Sequence, residues 1–304
     1  MRVLTSILLC ILSIAITPLL SAIITKTKAF LVGKQGPPLL INYYTLVKLL
    51  KKGSVYSEST TFVFRTMPVI SLAVSVIAIL FLPIAKAPSL ISFSGDVILV
   101  LYLFGIARFF LIIAALDTAS PFEGMGAARE AYFSFLCEAT LFTVLMLFYK
   151  LNGTLSLTGY FTGTDAINIW RPEGAILILI AIALFIVLLA ENSRVPVDDP
   201  ATHLELTMIH EVMILDHSGP DLAFIEMGSW LKLFFYATLI ADLLLPNLSP
   251  IMAIPAFLAT LTAIYLSAGI VESITARFRM KLVPKFILTS FALAFFAVIL
   301  VLEM

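Results

Sequence analysis

Gly174-Ala-Ile-Leu-Ile-Leu-Ile-Ala-Ile-Ala-Leu-Phe-Ile-Val-Leu-Leu-Ala190 is an unbroken apolar run, and it gives way at once to Glu191-Asn-Ser-Arg194-Val-Pro196-Val-Asp198-Asp199-Pro200. A helix of that length and composition is able to cross a bilayer core, which needs about 20 apolar residues. Runs of the same kind recur at about 3–25, 67–85, 96–116, 131–149, 229–246, 251–272 and 285–302, so the reading is an all-α polytopic membrane protein with about eight spans in one membrane domain, residues 1–304. Composition agrees: 61% of residues are hydrophobic and 12% charged, against about 25% charged in soluble domains. Mean hydropathy is +1.08.

Lys and Arg set the orientation. The loops at 26–66, 117–130, 191–228 and 273–285 hold 13 of them, the opposite side 4, and Arg108 and Lys232 lie within spans. The longer loops are therefore expected in the cytoplasm and both termini outside. The first run exceeds twenty residues, has no A-x-A site and is followed by Lys26, Lys28 and Lys34, a retained span rather than a cleaved leader. Balanced charge, with 19 basic and 19 acidic residues, points away from nucleic acid. Cys10 and Cys137 lie in separate apolar runs and make no ligand set, so no cofactor or metal is expected in this chain.

Charges inside spans face protein or a wet path because lipid exposure costs several kcal/mol. Arg108 is eight residues, about 12 Å, from the inner end of the third span, and Glu138 is seven residues, about 10 Å, into the fourth. Their similar depth predicts a pair across neighbouring helices, either a structural ion pair or part of a polar relay. Glu191 and Glu272 close the fifth and seventh spans, and Asp242 lies beyond the midplane. This distribution favours a lateral path for protons over a vertical channel.

In the loop after the fifth span, Glu191, Asp198 and Glu205 recur every seven residues, but Pro196 and Pro200 preclude one continuous helix. A second helix is expected from Asp199 as N-cap and Pro200 at its first position, ended by Gly219-Pro220. His203, His210 and His217 also recur every seven and would form a stripe on that helix. A metal site, a proton-transferring face and a subunit contact all remain open for them, although His210-Glu211 lacks the second histidine of HExxH. Ser120, Pro121 and Glu123 form a capping-box pattern, after which Arg129 and Glu130 are placed on the acid-lined cavity. Lys34-Gln-Gly36-Pro37-Pro38 through Tyr43-Tyr44 to Lys48-Leu-Leu-Lys51-Lys52 reads as an extended piece followed by a basic amphipathic helix at the interface.

In order and spacing these loops resemble the subunit-1 family of respiratory NADH dehydrogenase (complex I), and within it the branch of energy-converting membrane-bound NiFe hydrogenases and formate hydrogenlyase. The likeness rests on Gly36-Pro37 with Tyr43 and Lys48-Leu-Leu, then Leu103-Phe-Gly-Ile-Ala-Arg108 through Asp117-Thr-Ala-Ser120-Pro121-Phe122 to Gly126-Ala-Ala-Arg129-Glu130. It continues in Ala190-Glu191, Arg194-Val-Pro196-Val-Asp198, Pro200 and Glu205-Leu206, and in Val271-Glu272-Ser with Ala276-Arg-Phe-Arg279.

The resemblance implies a non-catalytic membrane anchor for a hydrophilic arm whose iron–sulfur and NiFe large subunits carry the cofactors, beside antiporter-like membrane subunits in a prokaryotic inner membrane. It implies a proton path through Glu138, Glu191, Asp198 and Glu205, to which Asp199, Glu130, Arg108, Glu272 and Asp242 are added as candidates, and docking of the arm at Gly36, Pro37, Arg129, Arg194, His203 and His210. The quinone-reducing branch has glutamates where this chain has Ala201-Thr202-His203, and Pro-Phe-Asp where it has Pro196-Val197-Asp198. That favours the hydrogenase branch over a quinone-binding dehydrogenase subunit. The absence of internal repeats speaks against a stand-alone transporter.

Overall fold

The computed structural model describes residues 2–163, 166–199 and 207–303. Eight helices among them are long and apolar enough to cross a membrane, one for each expected run. They are α1 (Arg2–Leu31), α3 (Phe62–Phe81), α4 (Asp96–Asp117), α5 (Pro121–Asn152), α7 (Gly174–Glu191), α9 (Gly219–Leu244), α10 (Pro250–Ile274) and α11 (Val283–Glu303). Three shorter helices, α2 (Ile41–Leu50), α6 (Leu157–Phe161) and α8 (His210–Met213), lie in the connections.

Each helix buries one face against neighbours and leaves the other for lipid. α3 packs between α4 and α9, α11 between α5 and α7, and α1 runs along α10. α9 touches α1, α2, α3, α7 and α10. It has the lowest mean hydropathy of the eight, 1.3, and the largest buried share, 72%. The two go together because polar side chains are tolerated where a helix faces protein. α4 is the reverse, with hydropathy 2.6 and 22% buried, and shows Tyr102, Ile106 and Phe109 outward.

Two helices are much longer than a bilayer core requires. α1 has 30 residues and α5 has 32, about 45 Å and 48 Å at helical rise, against a hydrocarbon core of about 30 Å. The excess lies at the end bearing the long loops, where α1 continues past residue 25 and α5 starts at Pro121 instead of 131. Ser120 is the N-cap and Pro121 the first helical residue, as expected, but the Ser120 side chain makes no cap bond. Glu123 is held by the Thr118 hydroxyl at 2.7 Å instead. Just inside these ends, Ser21 and Thr25 of α1 and Glu130 of α5 line a recess between the helices.

Local sequence misleads at Gly219-Pro220. These residues begin α9, with Ser218 extended as its N-cap and Pro at the first turn, because a proline lacking its N–H suits a helix start as well as it stops the segment before it. The sixth span therefore starts ten residues earlier than 229. The expected helix from Asp199 and Pro200 to Gly219-Pro220 begins on residues 200–206, outside the described residues, and over 207–218 the helical stretch is α8 alone. α8 has four residues, and His217 comes after its end, so His210 and His217 share no helical stripe.

Candidate functional site

The recess is a cavity of about 440 Å³. Its walls carry eight titratable side chains: Arg108, Glu130, Glu191, Arg194, His210, Glu211, Glu226 and Lys232. Ser21, Thr25, Asn42, Ser71 and Ser75 extend the polar lining between α1, α2 and α3.

At its membrane-embedded end three glutamates surround one guanidinium. Arg108 Nη1 donates to Glu138 Oε1 at 2.5 Å, and Nη2 donates to both Glu191 oxygens at 3.0 and 2.8 Å. Its Nε lies 4.0 Å from Glu130 Oε1, beyond hydrogen-bond reach. The expected Arg108–Glu138 pair is present, and Glu191 joins it from α7. Lys232 of α9 completes the group with Nζ 2.8 Å from Glu191 Oε2 and 2.7 Å from the Glu191 carbonyl. Four helices are thus tied through five charged side chains. All are buried or nearly so except Glu138, whose side chain is 41% exposed. It shares an outward stripe of α5 with Phe135, Phe142, Met146 and Tyr149.

Between α7 and α9, Ser193, Arg194, His210, Glu211 and Ile214 line the cavity. Asp198, 1% exposed, accepts the amide N–H groups of Asp199, Ile209 and His210 at 2.9, 3.0 and 3.1 Å and lies 2.7 Å from Arg277. Its carboxylate therefore satisfies two N–H groups at the start of α8, whose N-cap residue is Ile209. Burial pushes the Asp198 carboxyl up, against the opposing Arg277 charge and the amide donors. Neither Asp198 nor Asp199 is among the cavity-lining residues. α8 is seated on α5 at Gly126, where a Cβ would lie 2.9 Å from the Ile209 carbonyl oxygen.

Glu211, on α8, has its carboxyl pushed up to about 7 by burial and then by Glu226 and Asp198. His210 is held down to about 4, first by burial and then by the Lys232 charge, so it is neutral at physiological pH. His217 stacks on Phe64 at 3.9 Å and 5° and is also held near 4 by burial. It is packed away from the cavity.

The remaining expected residues divide by position. Glu272 is a clamp, 2.9 Å from Lys28 and 3.5 Å from Arg194, joining α1 and α10 to the loop after α7. Arg129 donates to the Met208 carbonyl at 2.9 Å. Gly36 lies against Ala29 on the projecting end of α1 and Pro37 follows it, both half-buried. Glu205 and His203 lie outside the described residues. Asp242 is not brought to the cluster. It is fully buried ten residues beyond Lys232 on α9, about 15 Å away. There the Lys86 ammonium donates to the Asp242 carbonyl at 2.6 Å. Lys86 reaches inward from a turn in which Ala85 and Lys86 have φ of 53° and 63°, a left-handed pair that costs about 1 kcal/mol or more per residue.

Sequence reading missed Lys232, Glu226 and Glu211 as site residues. Lys232 carried a usable signal, since a lysine inside an apolar span needs a buried partner.

The chain as a whole has known relatives. Residues 3–302 match the family described as NADH dehydrogenase. Formate hydrogenlyase subunit 4 of Escherichia coli is 29% identical over 98% of both chains. Hydrogenase-4 component C of the same organism is 30% identical over 92% of this chain and 89% of its own. An NADH-quinone oxidoreductase subunit of Rickettsia conorii is 25% identical over 67% of this chain and 59% of its own. In fold, a chain of the membrane-bound sulfane sulfur reductase, an archaeal respiratory membrane complex, superposes with a TM-score of 0.83 over 99% of each chain at 21% identity. A match from the first span to the last, over helices that converge on one charged cavity, makes this multi-pass membrane protein a member of the NADH dehydrogenase family.

Proposed function

We propose that this chain is the membrane anchor and proton-translocating subunit of a hydrogenase-type redox complex, like the formate hydrogenlyase and hydrogenase-4 subunits it resembles along almost its whole length. The observation that carries the reading is the buried cluster Arg108, Glu130, Glu138, Glu191 and Lys232. It meets a charged cavity on one side and reaches the lateral surface at Glu138 on the other. A half-exposed carboxylate on a membrane helix is costly against lipid and suits a neighbouring subunit.

The cavity mouth faces the cytoplasm in this reading, with both termini on the other side of a prokaryotic inner membrane. An iron–sulfur subunit and a NiFe large subunit dock at Gly36, Pro37, Arg129, Arg194 and His210, and supply all the cofactors. Antiporter-like subunits lie against the α5 face and receive protons there. The volume of the cavity would suit a quinone headgroup, the second reading within the family. Eight titratable side chains on its walls favour water and protons instead.

The test is Glu138→Gln with Glu191→Gln in the intact complex. Proton translocation in membrane vesicles is expected to fall by about tenfold or more while the complex still assembles. Pumping that persists in the double variant overturns the relay.

A further inference from the structure

We propose that Glu130 bears the exchangeable proton of the buried cluster, and that Lys232 is a positioning residue which, with Arg108, holds Glu191 as a fixed anion. The proposal deepens the proton-path reading, and its test needs no turnover.

The argument begins with a charge count. Glu130, Glu138 and Glu191 face Arg108 and Lys232, three carboxyl groups against two cations. The other nearby cation, Arg194, is drawn to Glu272, which Lys28 also contacts, and His210 is neutral. A surplus negative charge on side chains this buried costs several kcal/mol even beside a cavity, so one proton resides on the three carboxyl groups.

Contacts decide where it resides. Glu191 is held by both cations: two hydrogen bonds from Arg108 at 3.0 and 2.8 Å, and Lys232 Nζ at 2.8 Å. Charge-assisted bonds of this kind favour the ionised form. Glu138 has the 2.5 Å bond from Arg108 and partial exposure. Glu130 has neither. Its bond comes from the neutral Ser134 hydroxyl at 3.2 Å, and the nearest cation atom is Arg108 Nε at 4.0 Å. It is also buried, and lines the cavity from which a proton would arrive.

The Lys232 assignment follows from the same count. The Arg108 guanidinium already serves two carboxylates, so without the ammonium Glu191 shares its only remaining cation with Glu138 and takes up a proton of its own. Lys232 therefore keeps Glu191 charged and confines the mobile proton to Glu130.

The measurement is infrared difference spectroscopy of the purified complex near neutral pH, in the carbonyl-stretch region of protonated carboxylic acids. A wild-type band is expected that Glu130→Gln removes. Ser134→Ala alters no charge, so it is expected to keep the band but move its frequency, because that hydroxyl bonds Glu130 and neither other acid. Lys232→Met is expected to add the absorption of one further protonated carboxyl group per chain. A wild-type complex without a band lost in Glu130→Gln, or a band that Ser134→Ala leaves in place, overturns the assignment to Glu130. A spectrum unchanged by Lys232→Met overturns the role given to the lysine. Should that variant fail to assemble, Ser134→Ala and Glu130→Gln still decide the location of the proton, and Lys232→Arg, which keeps the charge, is expected to show no added band.

Discussion

The two halves of α9 show what separates a buried charge from a path. From Ile225 to Lys232 the helix lines the cavity, with Glu226, Ser229 and Lys232 on its wet face. From Leu233 to Leu243 every residue is buried. Phe235 and Tyr236 pack on Phe104 at ring distances of 5.1 and 6.0 Å. Both halves hold a buried carboxylate nearby. Glu191 at the first is met by two cations, whereas neither carboxylate oxygen of Asp242 at the second has a hydrogen-bond partner. Burial is common to both, and only the first half offers a chain of polar neighbours. A proton path needs that continuity, so the proposed route runs from the cluster sideways to Glu138 rather than outward along α9.

The largest effect should come from removing the hub that makes the first half what it is. Arg108→Ala leaves three carboxyl groups with Lys232 alone. Breaking a buried ion pair from one side costs about 3–5 kcal/mol, and here two pairs break at once, though protonation of a second glutamate offsets part of the loss. Thermal unfolding of the purified complex is expected to shift down by several degrees, with reduced yield. An unchanged transition would mean that the cluster contributes little to holding α4, α5, α7 and α9 together.

A smaller effect lies at the cavity mouth and depends on pH. The Glu211 carboxyl titrates at about 7 in the folded chain, against 4.5 in its absence, so the folded state binds that proton more tightly than the unfolded one. Its contribution to stability is greatest at low pH, declines as pH rises from 4.5 towards 7, and is constant above. Glu211→Gln should abolish that decline, gaining about 1–2 kcal/mol over wild type at about pH 8 and little at about pH 5, after allowance for water reaching a half-buried group. Unfolding measured at the two pH values checks the sign. Equal stability of variant and wild type at both would show that Glu211 is solvated in the assembled protein.

Much of the first half was legible in the sequence because lipid imposes simple rules. Eight runs of about 20 apolar residues had to be helices, and Arg108 and Glu138, at similar depth on consecutive spans, had to find partners. Less legible was anything set by a turn whose direction the local residues leave undecided. Taking Gly219-Pro220 as a stop placed the first ten residues of α9 in a loop, which made Glu226 an ordinary loop acid. The sevenfold spacing of the histidines suggested a face, but α8 ends at Met213 and His217 turns onto Phe64. Asp198 reads from its position in the motif only as a member of the acid series, and nothing in the spacing shows that its carboxylate also accepts three backbone amides and meets Arg277. Such a role depends on chain geometry that spacing does not encode.

The smallest effect tests the other half. Asp242→Asn is nearly isosteric and removes a carboxylate whose oxygens have no hydrogen-bond partner, while the contact of Lys86 to the backbone carbonyl at 2.6 Å is kept. Exchanging a buried, poorly compensated acid for a neutral amide is close to balanced, because the charge lost was itself costly to bury. The Lys86 ammonium, which burial pushes below its ordinary 10.5, then loses a nearby opposite charge and shifts further toward its neutral form. The expected result is a change in stability of about 1 kcal/mol or less and proton translocation within about twofold of wild type. A collapse of translocation, with assembly intact, would mean that the packed stretch from Leu233 to Leu243 opens during turnover and that a vertical route exists after all. Lys86→Met separates that outcome from simple damage to the outer loops. It removes the cation near Asp242 but leaves the carboxyl group, so a true outward route would be slowed by both variants and a loop defect by Lys86→Met alone.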